Sequence, residues 1–129
     1  MNDAKTVVES FIHALTSQGP EAALAFLDPA VVVHEVTRLP YAGTYHGHDG
    51  FRMLVGKLMS FWESIESEQQ TVADGEFAVV IGKIRGRVRT SGEQLEVPVL
   101  ERYHVKGGRI VELWPFYIDT HLEGVFSRR

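Results

Sequence analysis

The chain has 129 residues and a mass of 14.5 kDa, enough for one domain with a single core, taken to span residues 1–129. Its 44% hydrophobic and 23% charged content excludes disorder, collagen-like repeats and coiled coil. The absence of cysteine excludes a disulfide framework, a thiolate metal site and a cysteine nucleophile, while a net charge of -4 argues against a nucleic-acid partner.

The chain opens on a helix. Val8, Phe11, Ile12 and Leu15 follow the i, i+3, i+4, i+7 spacing of one helical face, Asn2 or Asp3 can cap it, and Gly19-Pro20 end it. Pro20 opens a second short helix over Glu21 to Leu27, stopped by Asp28-Pro29. Ala30 to Leu39 reads as a strand because Val31, Val32, Val33 and Val36 are β-branched. Pro40 to Gly50 reads as loop, with Asp49 as N-cap of a third helix whose stripe is Phe51, Leu54, Val55, Leu58 and Trp62. Four strands follow: Ile65 to Ala73, Glu76 to Thr90, Gln94 to Lys106 and Arg109 to Asp119. They are joined by turns at Asp74-Gly75, Ser91-Gly92 and Gly107-Gly108. His121 to Arg129 is a tail. Helices grouped early and successive hairpins late predict an α+β fold with an antiparallel sheet. No apolar run approaches the ~20 residues of a membrane span. The first fifteen residues lack a signal-peptide core, so a cytoplasmic protein that meets no membrane is expected.

Three stretches resemble the SnoaL-like, or ketosteroid-isomerase-like, family of the nuclear-transport-factor-2-like superfamily. They are Phe26 to Val33 at a helix-to-strand junction, Tyr45-His46-Gly47-His48-Asp49-Gly50-Phe51 at the opening of the third helix, and Tyr103 to Thr120. The last contains the Gly107-Gly108-Arg109-Ile110-Val111-Glu112 hairpin and the Trp114-Pro115-Phe116-Tyr117-Ile118-Asp119-Thr120 ending. The resemblance implies a cone: a strongly bent, mostly antiparallel sheet wrapped around three N-terminal helices, open at one end. It further implies an apolar cavity with a few polar groups, and a homodimer through the outer face of the sheet.

Such a site works by acid/base chemistry. A carboxylate or histidine among apolar neighbours has its pKa moved toward neutrality and can shuttle a proton. Three residues qualify as catalytic candidates. Asp119 follows Phe116-Tyr117-Ile118 and matches the acid/base aspartate that the resemblance implies near the end of the last strand; its plain alternative is a cap for Thr120 or the tail. His34 interrupts a valine run, and an inward ring there can act as base or orient a substrate oxygen; the alternative is a core histidine bonded to a neighbour. Glu101 shares a strand face with Val99, Tyr103 and Val105, so it either enters the cavity or forms a structural ion pair. Tyr41, Trp62, Tyr103, Trp114 and Phe116 are the candidate substrate-binding aromatics, with Tyr45 in the same set.

Other patterns carry less. His46-x-His48 lacks the third and fourth ligands that zinc requires, so no metal is expected. Arg85-x-Arg87-x-Arg89 reads as a solvated strand face. No nucleophile elbow, phosphate-binding loop or dinucleotide fingerprint is present, and no cofactor is expected. The tyrosine and aspartate of the steroid isomerases are also missing: the first helix offers His13 and the first strand His34-Glu35. The late strands are apolar on both faces, as expected of a sheet covered on both sides. These readings lead to a small-molecule partner: a largely apolar, oxygen-bearing compound held in the cavity, with cofactor-independent isomerase, cyclase or dehydratase chemistry. The alternative is a non-catalytic ligand-binding or dimerisation module on the same fold.

Overall fold

A computed structural model describes residues 3–35 and 40–117. The element order is α1 (Ala4–Ser17), α2 (Pro20–Ala23), a 3-10 turn (Leu24–Phe26), β1 (Leu27–Glu35), β2 (Gly43–His46), α3 (Gly47–Phe61), β3 (Trp62–Asp74), β4 (Phe77–Val88), β5 (Gln94–Lys106) and β6 (Arg109–Tyr117). Asp3 caps α1, its carboxylate accepting from the Thr6 N–H at 2.8 Å. The six strands form one bent sheet in the order β2-β1-β6-β5-β4-β3. All neighbours are antiparallel except β1 and β6, which run parallel. The fold is α+β, with the helices packed on the concave face.

Aromatic contacts fasten the helices to the sheet. Phe11 of α1 meets Phe51 of α3 edge-on at 5.9 Å and Tyr103 of β5 at 6.1 Å, both within the range where such pairs attract. Val7, Val8 and Ala14 on α1, Leu54 on α3, and Val31, Val33, Val80, Val97 and Val105 on the strands complete the buried core. Two glycines allow β3 to curl over β4. A Cβ on Gly86 would lie 2.6 Å from the Trp62 ring and 2.7 Å from the Ser64 carbonyl oxygen, and a Cβ on Gly82 would collide with the Glu68 carbonyl oxygen.

The elements depart from the sequence reading in four places. The second helix gives way early, and β1 starts at Leu27 and runs through Asp28-Pro29, where the Asp28 carboxylate accepts from Ala30 N–H. The stretch read as loop contains β2, a four-residue edge strand with one buried side chain, Tyr45, too short to display a period. Helix α3 begins at Gly47 rather than after Asp49. Trp62, read as part of its stripe, is the first residue of β3. The sheet is also mixed, because β1 joins β6 across most of the chain, a pairing that no local hairpin signal announces.

Candidate functional site

Between α1, α3 and the concave face of the sheet lies a cavity of about 200 Å³. Phe11, Ile12 and Leu15 of α1, Phe51, Val55 and Leu58 of α3, Trp62 of β3 and Leu113 of β6 give it apolar walls. It opens through a wider cleft of about 680 Å³ between α1, α3 and β3, where Glu9 and His13 stand at the rim. The two spaces share Ile12, Thr16, Leu58, Ser67 and Gln69 among their lining residues.

The polar end of the cavity is built by one row of the sheet. Thr71 pairs with Val80, Val80 with Glu101, and Glu101 with Pro115. On the other side of β6, Val33 pairs with Leu113, so two residues further on Glu35 comes beside Pro115. Glu35 and Glu101 therefore flank Pro115 on the inner face, their Cα atoms about 10 Å apart across two strand spacings. Both line the cavity. Glu35 is 4% exposed.

Glu101 and Tyr103, two residues apart on β5, point the same way. The Tyr103 hydroxyl donates to Glu101 Oε1 at 2.9 Å. Loss of water around Glu101 pushes its carboxyl above the ordinary glutamate value, and the Tyr103 hydrogen bond only partly opposes this. Burial, the nearby Glu101 charge and the same hydrogen bond raise the Tyr103 phenol well above its usual range, so it stays a neutral donor. Trp62 is backed by Tyr41: the indole Nε1–H reaches Tyr41 Oη at 3.5 Å, and Tyr45 Oη donates to the Tyr41 carbonyl at 2.8 Å.

Of the two catalytic candidates among the described residues, Glu101 lines the cavity and His34 does not. His34 lies on the outer face of the sheet, where its ring stacks on Trp114 at 5.0 Å and its Nε2 is 3.0 Å from Glu112 Oε2. The parity of β1 decides this: Val31 and Val33 are buried, so Glu35 follows them inward and His34 faces out. Asp119 lies outside the described residues. Among the aromatics, Trp62 and Tyr103 line the cavity. Tyr41 is fully buried and supports Trp62 without lining it. Trp114 and Phe116 flank the inward Pro115 and so lie on the outer face, where Trp114 takes the Arg102 guanidinium at 4.5 Å and Phe116 is 40% exposed.

The residue that the sequence reading missed is Glu35. Four consecutive apolar residues before His34 hide the strand's parity, and only the buried partner Leu113 fixes it. The remaining motifs are structural. His48 Nε2 is 3.0 Å from the Leu27 carbonyl oxygen and ties α3 to β1. Lys83 and Arg85 pair with Glu68 and Glu96, and Arg87 with Glu63, along the outer strand faces. Among the described residues no group of three or more metal-ligating side chains converges, and no helix is long and apolar enough to cross a membrane.

Solved structures of similar shape support this architecture. A protein of the nuclear-transport-factor-2-like type from Burkholderia thailandensis E264 superposes with a TM-score of 0.89 at 25% identity, covering 100% of both chains. TerC, co-crystallized with polyporic acid, superposes at 0.82 with 14% identity over 95% of this chain and 96% of its own. A protein of Jannaschia sp. CCS1 assigned to the SnoaL-like polyketide cyclases superposes at 0.79 with 13% identity over 98% and 95%. No curated protein matches by sequence. The family model of the SnoaL-like domain matches residues 8–113, which span α1 through most of β6 and include Glu35, Glu101 and Tyr103, and the chain therefore belongs to the SnoaL-like domain family.

Proposed function

We propose that the cavity binds a small, largely apolar, oxygen-bearing organic molecule and that Glu101 performs cofactor-independent proton transfer on it. The observation that carries this reading is a carboxyl with raised pKa, hydrogen-bonded by Tyr103, inside an apolar cavity open to solvent. A carboxyl in that state is nearer to neutrality than a surface glutamate and is suited to take and return protons. In its ionised form it removes a proton from carbon next to a carbonyl, and the electron pair moves onto the carbonyl oxygen. Return of the proton at another carbon gives isomerisation; attack of the enolate on a second carbonyl gives cyclisation. Tyr103 holds Glu101 in place, and Glu35 stands at the other side of Pro115 as a second carboxyl. Asp119 stays in the reading as a further acid/base on the strength of its motif. The co-crystallization of TerC, which has this fold, with polyporic acid supports a ligand-binding use of the fold.

Native mass spectrometry of the purified chain is expected to show a retained molecule of a few hundred daltons or less, whose analogues serve as substrates. Glu101→Gln is then expected to lower turnover by about 10²-fold or more. Unchanged turnover in Glu101→Gln would remove Glu101 from the mechanism.

The outer face of the sheet supports a homodimer. Val72, Phe77, Ile81 and Phe116 are 46%, 38%, 50% and 40% exposed there, beside Trp114, and a second copy would cover this apolar surface.

A further inference from the structure

The charge of a ligand in the cavity is set by the distribution of ionisable groups around it. From the rim inward, Glu9, Glu35 and Glu101 line the space, with His13 at the rim, while Glu66 pairs in register with Arg85 on the outer strand face. Among the described residues no lysine or arginine lines either the cavity or its mouth. Most of the described basic side chains are engaged elsewhere: Arg52 with Glu21 and Asp49, Lys83, Arg85 and Arg87 on the outer strand faces, Arg102 on Trp114 and Phe77, Lys57 over the Tyr45 ring, and Arg89 on the backbone carbonyls of Met59 and Trp62. Lys5 reaches Glu9 at 3.3 Å from the exposed side of α1. A space lined by one sign of charge within low-dielectric walls concentrates ligands of the opposite sign.

The walls add a second attraction. Phe11, Phe51, Trp62 and Tyr103 present four aromatic rings to a space of about 200 Å³. Aromatic faces attract cations, and the effect grows when the cation is desolvated. A primary ammonium needs several acceptors to replace its water, whereas a tertiary or quaternary alkylammonium spreads its charge over methyl groups and suits aromatic walls. Glu101 supplies the counter-charge at the polar end, where Tyr103 fixes its orientation.

We infer that the cavity selects cationic ligands, with a tertiary or quaternary alkylammonium group held among the aromatic rings against Glu101, and rejects carboxylates and phosphates of the same size. This inference rests on the reading of the cavity as the ligand site and adds a charge preference to it.

The test uses an isosteric pair on the full chain: choline, and 3,3-dimethylbutan-1-ol, in which a neutral carbon replaces the nitrogen. Affinities come from NMR titration. The Trp62 indole N–H reports cavity occupancy and the Trp114 indole on the outer face serves as control. Choline is expected to bind at least about tenfold more tightly than the alcohol. That ratio is expected to fall toward one in Glu101→Gln. In the wild-type chain it should also fall as pH is lowered to protonate Glu101, with Glu35, Glu9 and His13 the other ionisable groups facing the ligand path. The wild-type comparison and its pH series stand even if Glu101→Gln does not fold. Equal or tighter binding of the alcohol overturns the charge preference and leaves the cavity as a ligand site. A ratio that persists in folded Glu101→Gln and across the pH series overturns the assignment of Glu101 as counter-charge. Binding of neither probe, with both indoles unmoved, overturns the inference and the cavity reading together.

Discussion

Glu101 and His34 show how a single residue's role depends on which side of the sheet it faces. Both are ionisable residues in apolar strands, yet Glu101 enters the cavity and His34 stacks on Trp114 outside it. His34→Ala is therefore expected to leave cavity binding unchanged, as measured by titration with any ligand found, whereas Glu101→Gln alters it. The raised Glu101 pKa also sets a pH dependence of stability. Below the ordinary glutamate value of 4.5 the carboxyl is protonated in folded and unfolded chains alike. Above it the folded chain holds the proton more tightly, so stability is lost as pH rises through the folded pKa. Glu101→Gln removes this penalty, and its melting temperature relative to wild type is expected to rise with pH across that window. A difference that stays flat with pH would show an unperturbed carboxyl. Tyr103→Phe removes the hydrogen bond that lowers the Glu101 pKa, so the carboxyl should titrate still higher, with roughly 1–3 kcal/mol lost in stability by chemical denaturation. Glu101 was legible in the sequence because Val99, Tyr103 and Val105 share its parity. Glu35 was not, because a continuous valine run carries no parity of its own.

At the scale of elements, β4 shows why the sheet can enclose a cavity at all. Gly82 and Gly86 face β3 where a side chain would meet the Glu68 carbonyl oxygen, the Trp62 ring and the Ser64 carbonyl oxygen. Gly86→Ala is expected to displace Trp62 from the cavity wall and destabilise by about 1–3 kcal/mol, read by denaturant unfolding and by a shift of the Trp62 indole signal. An unchanged midpoint would mean that β3 can move away without loss. The hairpins over β3 to β6 were readable because Asp74-Gly75, Ser91-Gly92 and Gly107-Gly108 mark turns chemically. The start of β3 was not readable, because Trp62 continues the α3 spacing and only its pairing with Val88 assigns it to the sheet. β2 and the parallel β1–β6 pair escaped for a related reason: their partners, not their own residues, define them.

At the scale of the whole molecule, the two faces of the sheet differ in character. The inner face builds the cavity, and the outer face carries an aromatic and charged band in which Arg102 lies over both Trp114 and Phe77, flanked by exposed Ile81 and Phe116. A two-chain species is expected in sedimentation at micromolar concentration. Ile81→Lys, at a position 50% exposed, should convert it to one chain without loss of fold. A single-chain wild type would contradict the dimer and leave the cavity untouched. On the inner face, a desolvated carboxyl stands at the polar end of an apolar, solvent-connected cavity. Carbon-detected NMR titration of the glutamate carboxyls tests it within one sample. Glu21, Glu76 and Glu96, held low chiefly by hydrogen bonds from Arg52, His104 and Lys83, provide the reference. Glu101 is expected to titrate above 4.5 and above all three; a Glu101 midpoint among or below theirs would show a carboxyl that burial does not perturb.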